Sequence, residues 1–473
     1  MATIAGASTG SGSTQNEAAL DFRVTPETYT TLNTLIKTTK DFVMPDLVET
    51  FGNQGITGFL ELTGAVRSGG TSDQVDWYEV GRRHKVLTYT SSATINSGGD
   101  NVTISDSDVR ANVQVNDVLM DVATGVRFIV QAGGFGTGSE VDVTLVKLDG
   151  THAVEDTDID ASAGGTLIKL GNMYAQGSNQ PTGYNETDVH KRSNPFMIVK
   201  GRHEVNGSQA TNIGWVNLGG GEYRWFMYAE QEARKRFEDQ REMMLLFGEQ
   251  RDGSDATALA DSTGGALSGS DGYFTQVESL GINITGANGN PIDSFSEIDD
   301  IILELDKVGA PAEYAMYLNR KQDLAIDDML ASGIATSVTA GLPGQFGAFQ
   351  NNADMAVKLG FKSFTRGGYT FHKHDWKLLN DPTLLGASTV YQGAMVPLAN
   401  VADPRTGNTA PSLAMYYKEA NGYSRELEHW VTGGGVLGHN NNGDTGTDQA
   451  VFHYRSECNL VVRAANQHVV IKG

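Results

Sequence analysis

One cysteine in 473 residues excludes an intramolecular disulfide. Cys458 stands in the apolar run Cys458-Asn459-Leu460-Val461-Val462, where a small buried hydrophobe is expected rather than a reactive thiol. Basic charge is also scarce: 35 Lys and Arg against 57 Asp and Glu give a net charge of -22. That balance excludes a broad basic face for gripping nucleic acid, although such a chain can stand beside nucleic acid without binding it. No apolar run approaches the roughly 18 residues of a transmembrane helix. The segment Met1-Ala2-Thr3-Ile4-Ala5-Gly6 lacks the basic and apolar regions of a signal peptide, so folding in a reducing cytoplasm is the expectation. Hydrophobic residues (39%) and charged residues (19%) are both low, and 57 glycines with many Ser, Thr and Asn point to turns and extended arms.

Residues 1–20 read as a Gly/Ser/Thr-rich tail, and residues 27–62 as an arm with short helical turns between breakers. Val75-Asp76-Trp77-Tyr78-Glu79-Val80 alternates like an exposed strand and runs into the basic cluster Arg82-Arg83-His84-Lys85. From 86 to 170, short alternating strands recur between glycine-rich turns, which predicts a small barrel or sandwich. This stretch holds twelve acidic residues against four basic ones, as expected of an acidic, solvent-facing insertion. A second extended segment, Arg192-Ser193-Asn194-Pro195-Phe196-Met197-Ile198-Val199-Lys200, is the natural partner of the one at 75–85.

The strongest helix signal lies over 222–250. Phe226, Ala229, Ala233, Phe237, Met244 and Phe247 make its stripe, over a length of about 40 Å. A second helix starts at Ser294, with Glu297 at the capping-box spacing and Phe295, Ile298, Ile301, Ile302, Leu305 and Val308 as its buried face. Strands are expected at Tyr314–Leu318, Val357–Phe364, Tyr369–His374, Met415–Lys418 and Phe452–Val462, with a short helix over Lys321–Leu330.

No catalytic, cofactor or metal set converges. Gly6-Ala7-Ser8-Thr9-Gly10 matches a nucleophile-elbow pattern but lies in the tail. His372 and His374 share one side of a strand and lack a placed third ligand, with His190, His203 and His453 as the distant options. The run from Asn440 to Asp448 has oxygen ligands but no closing Glu for calcium. Gly133 to Gly138 fits no phosphate loop. His190-Lys191-Arg192 and the cluster at 82–85 suit contact with an acidic neighbouring subunit.

The order of these parts resembles the major capsid proteins of tailed bacteriophages, the Hong Kong 97-type fold. The resemblance implies an α+β chain with an N-terminal arm (1–58), an extended E-loop-like flap (59–85 and 171–205) and an all-β insertion (86–170). It further implies a peripheral domain with a spine helix (206–290 and 441–473) and an axial domain (291–440). The implied function is a non-enzymatic structural protein, without cofactor, that self-assembles as hexamers and pentamers into an icosahedral shell. Portal, scaffold and auxiliary or decoration capsid proteins would be its partners. The shell would enclose double-stranded DNA without sequence-specific binding and without a membrane, in a virion assembled in the host bacterial cytoplasm. Flap residues Trp77, Tyr78, Phe196 and Ile198 are the expected inter-subunit anchors, with Arg82, Arg83, Lys85, Lys191 and Arg192 as charged contacts. Two alternatives stay open. One is another virion protein, such as a tube, fibre or decoration protein. The other is a carbohydrate-active enzyme with a β accessory domain, for which five tryptophans are available but no acidic pair stands out.

Overall fold

The computed structural model describes residues 66–82, 86–89, 100–105, 113–133, 140–149, 165–181, 189–210, 225–250, 267–286, 291–339, 362–381, 390–402, 409–433 and 448–473, with a few single positions between them. The tail motif at 6–10, the arm, the glycines from 134 to 138 and the polar run from 440 to 447 lie outside the described residues. The chain divides into two compact units, one of residues 1–54, 201–237 and 429–454, the other of 55–200, 238–428 and 455–473.

In the larger unit a six-stranded mixed sheet runs in the order Ile282–Thr285, Val469–Lys472, Tyr391–Pro397, Glu313–Leu318, Tyr369–Asp375, Ser363–Arg366. Side chains alternate between its faces with a period of two, so each central strand serves two cores. Tyr314, Met316, Leu318, Met395, Val469 and Ile471 join one cluster with Ile298, Ile301, Ile302 and Leu305. Their neighbours Ala315, Tyr317, Ala394, Val396 and Val470 join the other, with Leu245, Leu246, Tyr273 and Phe274. The sequence of Glu313–Leu318 is apolar on both sides because both faces are covered.

The helix Phe295–Val308 covers the first face and is bounded as its sequence dictates. The Ser294 side chain accepts from Glu297 N, and the Glu297 side chain returns to the Ser294 backbone. Gly309 ends the helix in the left-handed region, at φ 65°. Ser294→Ala should therefore lower stability by about 1 kcal/mol, measurable as a shift in the urea midpoint at unchanged slope.

The C-terminal strand Val469–Lys472 pairs in parallel with Ile282–Thr285 and antiparallel with Tyr391–Pro397. One sheet thus draws strands from both the peripheral spans (206–290, 441–473) and the axial span (291–440) expected from sequence. The boundaries at 290 and 440 cut through hydrogen-bonded neighbours. A short helix, Tyr273–Leu280, was not expected, whereas the helix expected at 321–330 extends over Arg320–Thr339.

Strands Val86–Tyr89, Asp100–Ser105, Glu140–Lys147, Arg127–Gly133, Asp117–Asp121 and Gly165–Asn172 close, in that order, into a barrel. Its core is drawn from its own residues, among them Leu87, Leu119, Phe128, Val143, Leu145 and Leu167. Not every acidic residue of this stretch lies at its surface. Asp117, Asp121 and Asp158 are buried. Asp121 braces a turn by accepting from Ala123 N (3.0 Å) and Thr124 N (2.8 Å). Asp117 pairs with Lys169 at 2.6 Å and Asp158 with Lys147 at 2.7 Å. A buried carboxylate is tolerated only with such partners.

The long helix spans Trp225–Phe247, about 35 Å. In the smaller unit Phe237 stacks on Tyr454 with ring centroids 5.7 Å apart. Gly201 admits it closely, since a Cβ there would lie 2.8 Å from the Phe237 ring. In the larger unit Leu245 and Leu246 are buried instead. Met244, expected on the stripe, is 39% exposed.

Candidate functional site

Gln74–Val80 pairs antiparallel with Val189–Pro195, in the register Trp77↔Arg192, Tyr78↔Lys191 and Val80↔Val189. These two strands form a sheet by themselves. Both edges lack a pairing strand among the described residues, and a two-stranded ribbon is marginal alone. What steadies it lies on one face. Alternation puts Val75, Trp77 and Glu79 on the inner side, where exposure is intermediate, and Asp76, Tyr78 and Val80 on the outer side.

The inner face is tied to the body of the same chain. Glu79 Oε1 accepts from Trp77 Nε1 at 3.2 Å and from the backbone N–H of Ala464 at 3.1 Å. Arg192 Nε lies 3.6 Å from Glu79 Oε2. Beyond the strand end, the Arg82 guanidinium donates to the carbonyl of Lys307, at the C-terminal end of the capped helix, where a cation is favoured. At the root, Asn194 is 1% exposed. Its Nδ2 donates to Leu460 O (2.7 Å) and Asp271 O (3.0 Å). Its Oδ1 accepts from Asp271 N (2.9 Å) and Ser270 Oγ (3.1 Å), and its carbonyl accepts from Asn459 Nδ2 (2.8 Å). The side-chain amide thereby satisfies both its donors and both acceptor sites.

The outer face is open. Tyr78 is 68% exposed, Val80 48% and Val189 51%. Lys191 pairs with Asp76 at 2.8 Å beside them. The hydrogen bond to Asp76, followed by its charge, raises the Lys191 pKa, so the cation persists at neutral pH. Three exposed apolar side chains thus lie beside one ion pair on this face.

The sequence-predicted residues divide accordingly. Tyr78 and Lys191 share the outer face, and Trp77 and Arg192 the inner one. Arg82 is engaged within the chain itself. Arg83 and Lys85 lie outside the described residues. Phe196 lies beyond the ribbon strand and is buried: it is 4% exposed, and a Cβ on Gly69 would lie 2.5 Å from its ring. It packs within the chain itself, past the end of the ribbon strand at Pro195. Ile198, 44% exposed, belongs to the next strand, Met197–Asn206, which borders Gln449–Val462 in another sheet. Val80, Val189, Glu79 and Asn194 were missed. The period-two pattern around Trp77 signalled the first and third, whereas Asn194 carries no local signal.

Elsewhere, His374 stacks on Tyr317 at 5.2 Å, and no group of three His, Cys, Asp or Glu that could hold a metal is found among the described residues. Among those residues no helix is long and apolar enough to cross a membrane. Cys458 is buried, and burial pushes its thiol pKa up.

No family model and no curated protein matches the chain. Solved structures similar to it include the capsid of Cyanophage P-SCSP1u, at 9% identity over 91% of this chain and 92% of that one, with a TM-score of 0.39. The mature capsid of bacteriophage PhiM1 is similar at 8% identity over 64% and 79%, with a TM-score of 0.32. The SrpI encapsulin complex from Synechococcus elongatus PCC 7942 is similar at 13% identity over 60% and 77%, with a TM-score of 0.31. The mixed α+β architecture and the one-sided ribbon stand on their own geometry.

Proposed function

We propose that this chain is the major capsid protein of a tailed phage, a non-enzymatic subunit that associates with copies of itself to form an icosahedral shell around double-stranded DNA. The observation that carries the reading is the ribbon: it is braced on its inner face and leaves Tyr78, Val80 and Val189 open on its outer one. Water-exposed apolar side chains on an unpaired ribbon are stabilised when a second surface covers them. The order of arm, ribbon, long helix and α/β body, which carries the resemblance to Hong Kong 97-type proteins, supplies the form of the assembly: hexamers and pentamers, with portal, scaffold and decoration proteins as partners. The charge of -22 suits a wall that surrounds DNA without adhering to it.

The test is the paired substitution Tyr78→Glu with Val189→Asp. Both sites are exposed, so the thermal midpoint should stay within about 2 °C of the parent's. Particles or capsomers seen by negative-stain microscopy and light scattering should be lost. Assembly indistinguishable from the parent's would remove the outer face from the interface and sink this reading.

A further inference from the structure

We propose that the ribbon is a strap pivoted on Asn194 and held to its own subunit by a releasable latch, the Glu79 carboxylate. This rests on the reading of the ribbon's outer face as an assembly contact. The two ends of the strap differ in kind. At the root the Asn194 amide is buried and engages Ser270, Asp271 and Leu460 directly. Gln276 sits in the same network and donates to the same two carbonyls, Asp271 O at 2.7 Å and Leu460 O at 2.8 Å. Opening this root would strand several dry polar groups together, so it stays closed while the fold persists.

Four register positions along, Glu79 is only half-buried, with side-chain exposure of 28%. Water can replace its bonds as they break, which makes this contact weak and reversible. Its body-side partner is unusual. Ala464 is a non-glycine residue in the left-handed region, with φ 52° and ψ 49°. That conformation is disfavoured for alanine and persists where surroundings fix it. The Ala464 N–H pointing at Glu79 Oε1 is one such fixture. Release of Glu79 therefore frees one amide of the body and leaves the Arg82 hydrogen bond to the Lys307 carbonyl as the tie at the far end of the ribbon. Asn194 continues to set the direction in which the ribbon can leave.

Hydrogen exchange read by mass spectrometry on the full chain, in matched oligomeric fractions, tests this. In Glu79→Ala the Ala464 amide should exchange about tenfold faster or more, as should the Gln74–Val80 amides, with the melting temperature nearly unchanged. Glu79→Gln retains an acceptor for Ala464 and should fall between that variant and the parent. Asn194→Ala should raise exchange at the root and lower the melting temperature together. Unchanged Ala464 exchange in Glu79→Ala would overturn the latch, and a large drop in that variant's melting temperature would show a structural contact rather than a releasable one. Failure of the shell reading is recognised separately. The Tyr78→Glu, Val189→Asp protein would then assemble or behave as the parent does, whatever Ala464 shows.

Discussion

Phe274→Ala should lower the unfolding free energy of the larger unit by about 3–5 kcal/mol, toward the upper end of that range. The Phe274 side chain is 0% exposed. Its ring lies 4.6 Å from that of Phe247 at an interplanar angle of 6°, and 4.6 Å from Tyr391 at 52°. Trp376 stacks at 6.0 Å, and Tyr273 meets it edge-on at 5.5 Å. Truncation removes the buried area and also each aromatic pairing, worth roughly 0.5–1.5 kcal/mol beyond area. The surrounding rings are flat and anchored on different elements, so they cannot close the cavity. Urea unfolding followed by tryptophan fluorescence measures the loss, and Phe274→Leu should recover part of it. A cost below about 1 kcal/mol for the alanine variant would mean that this core repacks freely, against the geometry described.

Acid should weaken the same unit through His468. This residue is 0% exposed, and its Nδ1 makes a 3.2 Å hydrogen bond with the Tyr273 hydroxyl. Its Nε2 is buried without a hydrogen-bond partner. Burial pulls its pKa from 6.5 down to about 3. Above pH 6.5 the imidazole is neutral in both folded and unfolded chains, and its full contribution to stability is present. As the pH falls through 6.5 the unfolded chain takes up a proton that the folded chain refuses, so stability is lost until about pH 3. At about 1.4 kcal/mol per pH unit the loss is roughly 2 kcal/mol at pH 5 and on the order of 4–5 kcal/mol at pH 3. His468→Gln cannot titrate there. Its unfolding free energy should fall less steeply than the parent's between pH 6.5 and 5, where most carboxylates are still ionised. Parallel slopes would show that His468 is not the group that acid attacks. Burial also lowers the pKa values of His203, His374 and His453, which act in the same direction in both proteins and cancel in the comparison.

Much of the fold is local and was legible. The helix at 295–308 carries its start in Ser294 and Glu297, its stop in Gly309 and its buried face in Ile298, Ile301, Ile302 and Leu305. A capping box, a left-handed glycine and a 3.6-residue stripe act within a few residues, so sequence contains them whole. Strand Gln74–Val80 was visible for the same reason, since alternation of side chains is a property of one strand. Partner choice is a property of two. The ribbon takes 189–195 rather than the more apolar 196–200, and this decides that Phe196 is core and Val189 is surface.

Local pattern places the capped helix, the alternating ribbon strand and four of the six barrel strands, whereas Asp100–Ser105 and Gly165–Asn172 were not expected. The contacts between them belong to the tertiary fold. It inserted Val469–Lys472 between two strands far earlier in the chain, buried Asn194 beneath Leu460, and brought Glu79 to Ala464 across 385 residues. Such contacts follow from the global minimum of burial and hydrogen bonding rather than from local periodicity. Here they separate a strand that merely alternates from a ribbon with one braced face and one open face.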